Sequence, residues 1–167
     1  MLSLLPSTVV LGLAALAALH LTLNRSSPSQ LQSERALAAR ALALTTAAQA
    51  LHFLEEAATG FNEELGGLLG LPSMPFAFFM VFNLVWIGIW VASVGMVRSG
   101  RPFAFFAAWF LAIAGMFNGI AHPALALAAG AYFPGVVSSP VIAGLSVWLW
   151  LRLRDATWPG RQTSPAS

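Results

Sequence analysis

The sequence predicts an all-α, polytopic membrane protein built as a bundle of five transmembrane helices. Two observations carry this. Of 167 residues 58% are hydrophobic and only 8% charged, whereas a soluble domain carries about 25% charged residues. The mean hydropathy is +0.77, and the apolar residues fall into stretches long enough to span a bilayer core about 30 Å thick, which needs roughly 20 residues per helix. A water-facing surface cannot be built from this composition. The net charge of +2 comes from loop arginines and does not point to nucleic acid. The absence of cysteine excludes disulfides, thiolate metal sites and cysteine nucleophiles.

The first span is read at 2–23, as a retained helix. It lacks a charged segment before its apolar run, and that run is too long for a secretory signal. NRSSPSQLQSER (24–35) follows as a polar loop, then a second span at 36–59. The connection 60–75 is Gly-rich but carries several Leu, which places it at a membrane interface. A third span covers 76–97, and a fourth covers 102–129 with Pro123 able to kink it. The fifth, 136–153, ends in Arg152 and Arg154. Residues 1–154 thus form one transmembrane domain, and 155–167, rich in Pro, Ser and Gly, form a disordered cytoplasmic tail.

Arginines set the expected orientation. Arg25 and Arg35 lie in the first connection, Arg98 and Arg101 in the third, and Arg152, Arg154 and Arg161 at the C-terminal end. The other two connections have none. With five spans the positive-inside rule puts the N-terminus outside and the C-terminus in the cytoplasm of an inner-membrane protein. Arg40, one turn inside the second span, can snorkel to the inner surface.

The ionisable residues inside the spans then locate a site. His52, Glu55 and Glu56, in HFLEE, fall on one helical face at i, i+3 and i+4. Asn118 and His122 make an i, i+4 pair on the fourth span. Counted from Ala36 and Pro102, His52 and Asn118 lie about 24 Å up their helices, and Glu56 and His122 about 30 Å. Asn83 enters the same level from the third span, about 11 Å deep. His20 lies at the opposite end and is read as an interfacial histidine. A charged acid within a helix costs about 2.5–3.5 kcal/mol on insertion scales, and no arginine reaches this level. Protonation, imidazolium or a bound cation must therefore balance the two acids, unless they only cap a helix end beside Glu63 and Glu64.

Three chemistries fit. His52, Glu56 and His122 form a His₂Glu set for one divalent metal ion, zinc by preference, with an open position for water and with Glu55 and Asn118 as catalytic groups. The i, i+4 spacing is related to helical zinc motifs such as H-x-x-E-H. Without a metal, a desolvated Glu could move protons on a sterol- or terpenoid-like substrate. A non-enzymatic ion- or lipid-handling role is the third. The one-sided placement favours an enzyme acting on a lipid-like substrate. Trp86, Trp90 and Trp109 are candidate lining of its pocket, and Trp148, Trp150 and Trp158 read as interface anchors. The small-residue face Gly88, Ala92 and Gly95 can pack helices within one chain or in a homo-oligomer.

The motif His52-Phe53-Leu54-Glu55-Glu56, followed by Asn118-Gly119-Ile120-Ala121-His122, the turn Tyr132-Phe133-Pro134-Gly135 and Pro140, resembles the HXXEE family of small bacterial membrane proteins. The likeness spans about residues 45–153. Ser138 and Ser139 stand where that family commonly shows Thr. The resemblance implies the site residues and not a chemistry. A weaker likeness to emopamil-binding-type sterol isomerases rests on the His/Glu/Asn set alone. The Tyr132–Gly135 turn, directly after the fourth span, is placed to roof the cluster.

Overall fold

A backbone in lipid must satisfy its own polar groups, which leaves helices as the spanning solution for such a chain. A computed structural model describes residues 5–25, 27–29 and 31–158. Among them six helices follow in order: α1 (Leu5–Asn24), α2 (Gln32–Thr59), α3 (Phe61–Leu69), α4 (Phe76–Arg98), α5 (Pro102–Ala129) and α6 (Ser139–Ala156). Two short strands, β1 (Ser27–Pro28) and β2 (Thr157–Trp158), pair antiparallel.

Four helices are long and apolar enough to cross a membrane: Ser7–Asn24 within α1, and α2, α4 and α5. The expected fifth span, 136–153, is not among them. It folds as α6, whose 18 residues rise about 27 Å and end in a turn carrying Arg152, Arg154 and Asp155. The five-span expectation is corrected to four on these grounds. The 24–35 loop is shorter than read, because α2 begins at Gln32, and the 60–75 connection contains α3. The tail also needs correction at its start. Asp155 and Ala156 complete α6, and Thr157 and Trp158 pair with β1. Residues 2–4 of the first expected span, and 159–167 of the tail with Arg161, lie outside the described residues.

Helices α2, α4, α5 and α6 close a ring in which each packs on two neighbours, and α1 lies against α5. Small residues let the backbones approach. The core contains Ala38, Ala41, Leu42, Ala104, Ala107, Ala108 and Leu111, all at or below 3% exposure. A Cβ on Gly115 would collide with Ser146 Oγ, and one on Gly119 with Ala143 Cβ. These two glycines set the α5–α6 distance. Gly88, Ala92 and Gly95 instead face outward, with open space beyond both glycines.

At the end of the bundle where the chain passes from α1 to α2 and from α4 to α5, guanidinium groups tie the connections together. Arg25 donates to the carbonyls of Arg154 (2.8 Å) and Thr157 (2.6 Å), and Arg35 to those of Arg98 (3.2 Å) and Ser29. Arg40 is exposed, and so is His20, whose ring meets the Asn24 amide. Trp109, a candidate pocket residue, is instead fully buried and stands edge-on to Trp150, with ring centroids 4.9 Å apart.

Candidate metal centre

The C-terminal half of α2 turns a polar stripe into the bundle. Thr45, Gln49, His52 and Glu56 are all buried, and their spacing of four, three and four residues keeps them on one face. Gly60 ends the helix with φ +80°, its N–H bonding to the Glu56 carbonyl. Helix α5 brings His122 to the same level, just before Pro123, a proline inside the helix. The connection 130–138 folds back over both.

His52, Glu56 and His122 lie close together and could hold a metal ion. Glu56 Oε1 stands 3.3 Å from His122 Nε2 and 3.6 Å from His52 Nε2. The imidazoles are perpendicular, with ring centroids 4.7 Å apart. Donor atoms around a tetrahedral ion with bonds of about 2.0–2.2 Å are separated by about 3.3–3.6 Å. The two His–Glu separations match those edges. The trio is shielded from solvent, with exposures of 0% for His52, 6% for Glu56 and 2% for His122.

Hydrogen bonds on the far side of each ring fix which nitrogen is free. His122 Nδ1 lies 2.6 Å from the Pro134 carbonyl, which can only accept, so this nitrogen carries the proton. His52 Nδ1 lies 2.7 Å from Ser138 Oγ. That hydroxyl gives its single proton to Glu55 Oε2, 2.5 Å away, so towards His52 it accepts. Both Nε2 atoms are then lone-pair acceptors in the neutral rings. They converge on a carboxylate oxygen, another acceptor. His52 Nε2 is buried with no hydrogen-bond partner. Three acceptors facing one another call for a cation or a proton between them. Carbonyl and carboxylate-linked partners behind the histidines are the outer contacts that metal-binding imidazoles use.

Glu55 departs from its expected surroundings. It turns to the N-terminus of α6, where it accepts from Val137 N (3.1 Å), Ser138 N (2.8 Å), Ser138 Oγ and Tyr132 Oη (2.8 Å). Four donors on two oxygens hold it as the acceptor form. The helix N-terminus supplies a balance for this acid that the three expected remedies did not include. Glu55 therefore supports His52 through Ser138 instead of facing the centre. Asn118 and Asn83 are half-buried and line the adjoining cavity, Asn83 donating to the Phe79 carbonyl (2.9 Å). Neither belongs to the trio. Glu63 and Glu64 are exposed in the first turn of α3.

The roof forms as expected, and Gly135 is its key. With φ +87°, a Cβ there would lie 2.5 Å from His122 Cε1 and 2.9 Å from His52 Cε1. Only glycine lets this turn sit on both rings. Phe61, opening α3, packs on His122 (centroids 5.5 Å), Phe79 (5.8 Å) and Phe133 (5.9 Å). Ser138 and Gln49 escaped the sequence reading as site residues. Gln49 had a usable signal, standing three residues before His52 and seven before Glu56.

Glu56 and His122 form part of the wall of a cavity of about 720 Å³, bounded by α1, α3, α4 and α5. Trp86 and Trp90 line it, in agreement with the expectation for those two. The remaining walls are predominantly Phe, Leu and Ala. The chain matches no family model, no curated protein and no solved structure.

Proposed function

We propose that the chain is a membrane-embedded, metal-dependent enzyme in which His52, Glu56 and His122 hold one zinc ion beside a pocket for a lipid-like substrate. The observation that carries this is the convergence of two imidazole lone pairs on one carboxylate oxygen in a buried site, with both His–Glu separations at the edge length of a tetrahedral zinc site. A His₂Glu set leaves one position for water or a substrate oxygen, where a bound ion would polarise a carbonyl or lower the pKa of water. The chain's own residues supply the rest. Pro134 and Ser138 keep the ligating nitrogens free of protons, Glu55 holds Ser138, and Asn118 reaches the cavity one turn from His122. Membership of the HXXEE family, and a site facing outward with the arginine-bearing end of the bundle at the cytoplasmic surface, belong to the same proposal.

A metal-free reading draws on the same geometry. A proton on Glu56, 3.3 Å from His122 Nε2, would also relieve three facing acceptors and would serve acid–base isomerisation of an apolar substrate. Elemental analysis of the protein purified without chelator separates the two. One equivalent of zinc, lost in both His52→Ala and Glu56→Ala, is the expected result. A protein that holds no metal, and takes none up from added zinc, sinks the metal reading in favour of the acid–base one.

A further inference from the structure

The cavity beside the centre is graded by depth. On α5 the lining residues His122, Asn118, Ala114 and Phe110 recur every four positions, marking levels about 6, 12 and 18 Å below His122. On α2, Gln49 stands about 10 Å below Glu56. Gln49 is only 6% exposed and faces this cavity, and among the described residues its amide has no hydrogen-bond partner. Its amide opens onto the cavity and is free to donate to and accept from a ligand group at that level. Below it the walls are Leu11, Ala15, Trp86, Trp90 and Phe110, which offer an apolar chain nothing but contact surface.

We infer that the cavity seats a single-chain amphiphile whose uncharged, hydrogen-bonding head lies between the centre and the Gln49/Asn118 level. Its chain runs past Ala114 to Trp86, Trp90 and Phe110. The inference rests on the metal reading only for the end of the ligand that meets His122. A volume of about 720 Å³ lies within the range that encloses one small molecule. Among the described residues no arginine lines the cavity to balance an anionic head, and its one acid, Glu56, faces the two histidines instead of a cationic head, so the head is uncharged. Amide groups both donate and accept, which suits an ester, an amide or a hydroxyl.

The test uses the full chain in nanodiscs with a monoacylglycerol bearing a diazirine at the end of its chain. Crosslinks should map to the Trp86–Trp90 and Phe110 segments. Unlabelled monoacylglycerol should compete at least tenfold better than lysophosphatidate of the same chain length. Gln49→Leu should weaken labelling about threefold to tenfold, the effect of one lost hydrogen bond. Ala114→Phe should block the long-chain probe yet admit one of half its length. Crosslinks confined to outward residues such as Leu13 and Leu84, equal competition by lysophosphatidate, or labelling unchanged in both variants would each overturn the inference. Zinc measured on the same samples keeps the two readings apart. Absent labelling with full zinc defeats this inference alone, whereas cavity labelling without zinc upholds it and defeats the metal reading.

Discussion

The two ends of the bundle handle charge in opposite ways. At the arginine end, guanidinium groups donate to backbone carbonyls: Arg25 to Arg154 and Thr157, Arg35 to Ser29 and Arg98. Donor meets acceptor, and the result is a tied set of connections. At the other end Glu55 finds an equivalent match in the backbone N–H groups that open α6. Glu56 does not: its neighbours within reach are two nitrogens that also carry lone pairs. Polar residues whose bonds close among themselves are architecture. A buried group of acceptors without a donor needs a cation or a proton to balance it.

The strongest way to break this contrast is Gly135→Ala. The left-handed backbone alone costs about 1–3 kcal/mol for a side-chain-bearing residue, and the new Cβ would overlap both histidine rings. Zinc binding should be lost and the melting temperature lowered. Gly60→Ala is the matched control, because its φ is +80° but open space surrounds its Cβ position. It should lose a comparable backbone contribution and keep its zinc. If Gly135→Ala binds zinc as wild type does, the roof does not hold the rings.

Ser138→Ala tests the contrast at one remove from the trio. With its hydroxyl gone, His52 Nδ1 has no acceptor, and the ring is free to take the wrong tautomer. Loss of such outer contacts typically lowers metal affinity about 10–100-fold, while Ser138→Thr, which keeps the hydroxyl, should retain most of it. Arg25→Ala is the counterpart at the other end. It should lower stability by about 1 kcal/mol through lost hydrogen bonds and leave zinc affinity untouched. Calorimetric zinc titration beside thermal unfolding reads both quantities, and a zinc defect in Arg25→Ala would abolish the distinction between the ends.

Much of this was legible before any coordinates. Hydropathy marks the long helices to within a few residues, and helical rise alone brings Glu56 level with His122. What it cannot supply is rotational phase. Glu55 and Glu56 differ by about 100° around α2, and only packing decides which one faces inward. Ser138 was hidden because its role depends on the path of a nine-residue connection, 130–138, over two helix ends. Gln49 stands within an alanine-rich run, which masks its place in the polar stripe of α2. The fifth span failed for a reason visible in the sequence: three charges crowd the last turn of an 18-residue helix.

The smallest expected effect lies at the rim of the site. Tyr132 is the chain's single tyrosine and is half-exposed, with its hydroxyl on Glu55. Its pKa is raised above 10.0, first by partial burial, with the hydrogen bond and charge of Glu55 adding to this and bonds involving Thr59 and Gly135 opposing it. A phenol whose folded pKa is raised contributes stability that is present below pH 10 and is lost as pH rises through the folded value. With one tyrosine, absorbance reports its ionisation directly, and the midpoint should fall above 10. Glu55→Gln should bring that midpoint back towards 10, because it removes the negative charge that resists a second one. A midpoint at or below 10 in the unaltered protein would mean that the charge on Glu55 does not reach the connection. The match between that carboxylate and the roof of the site would then be too weak to set it apart from the unmatched Glu56 beside it.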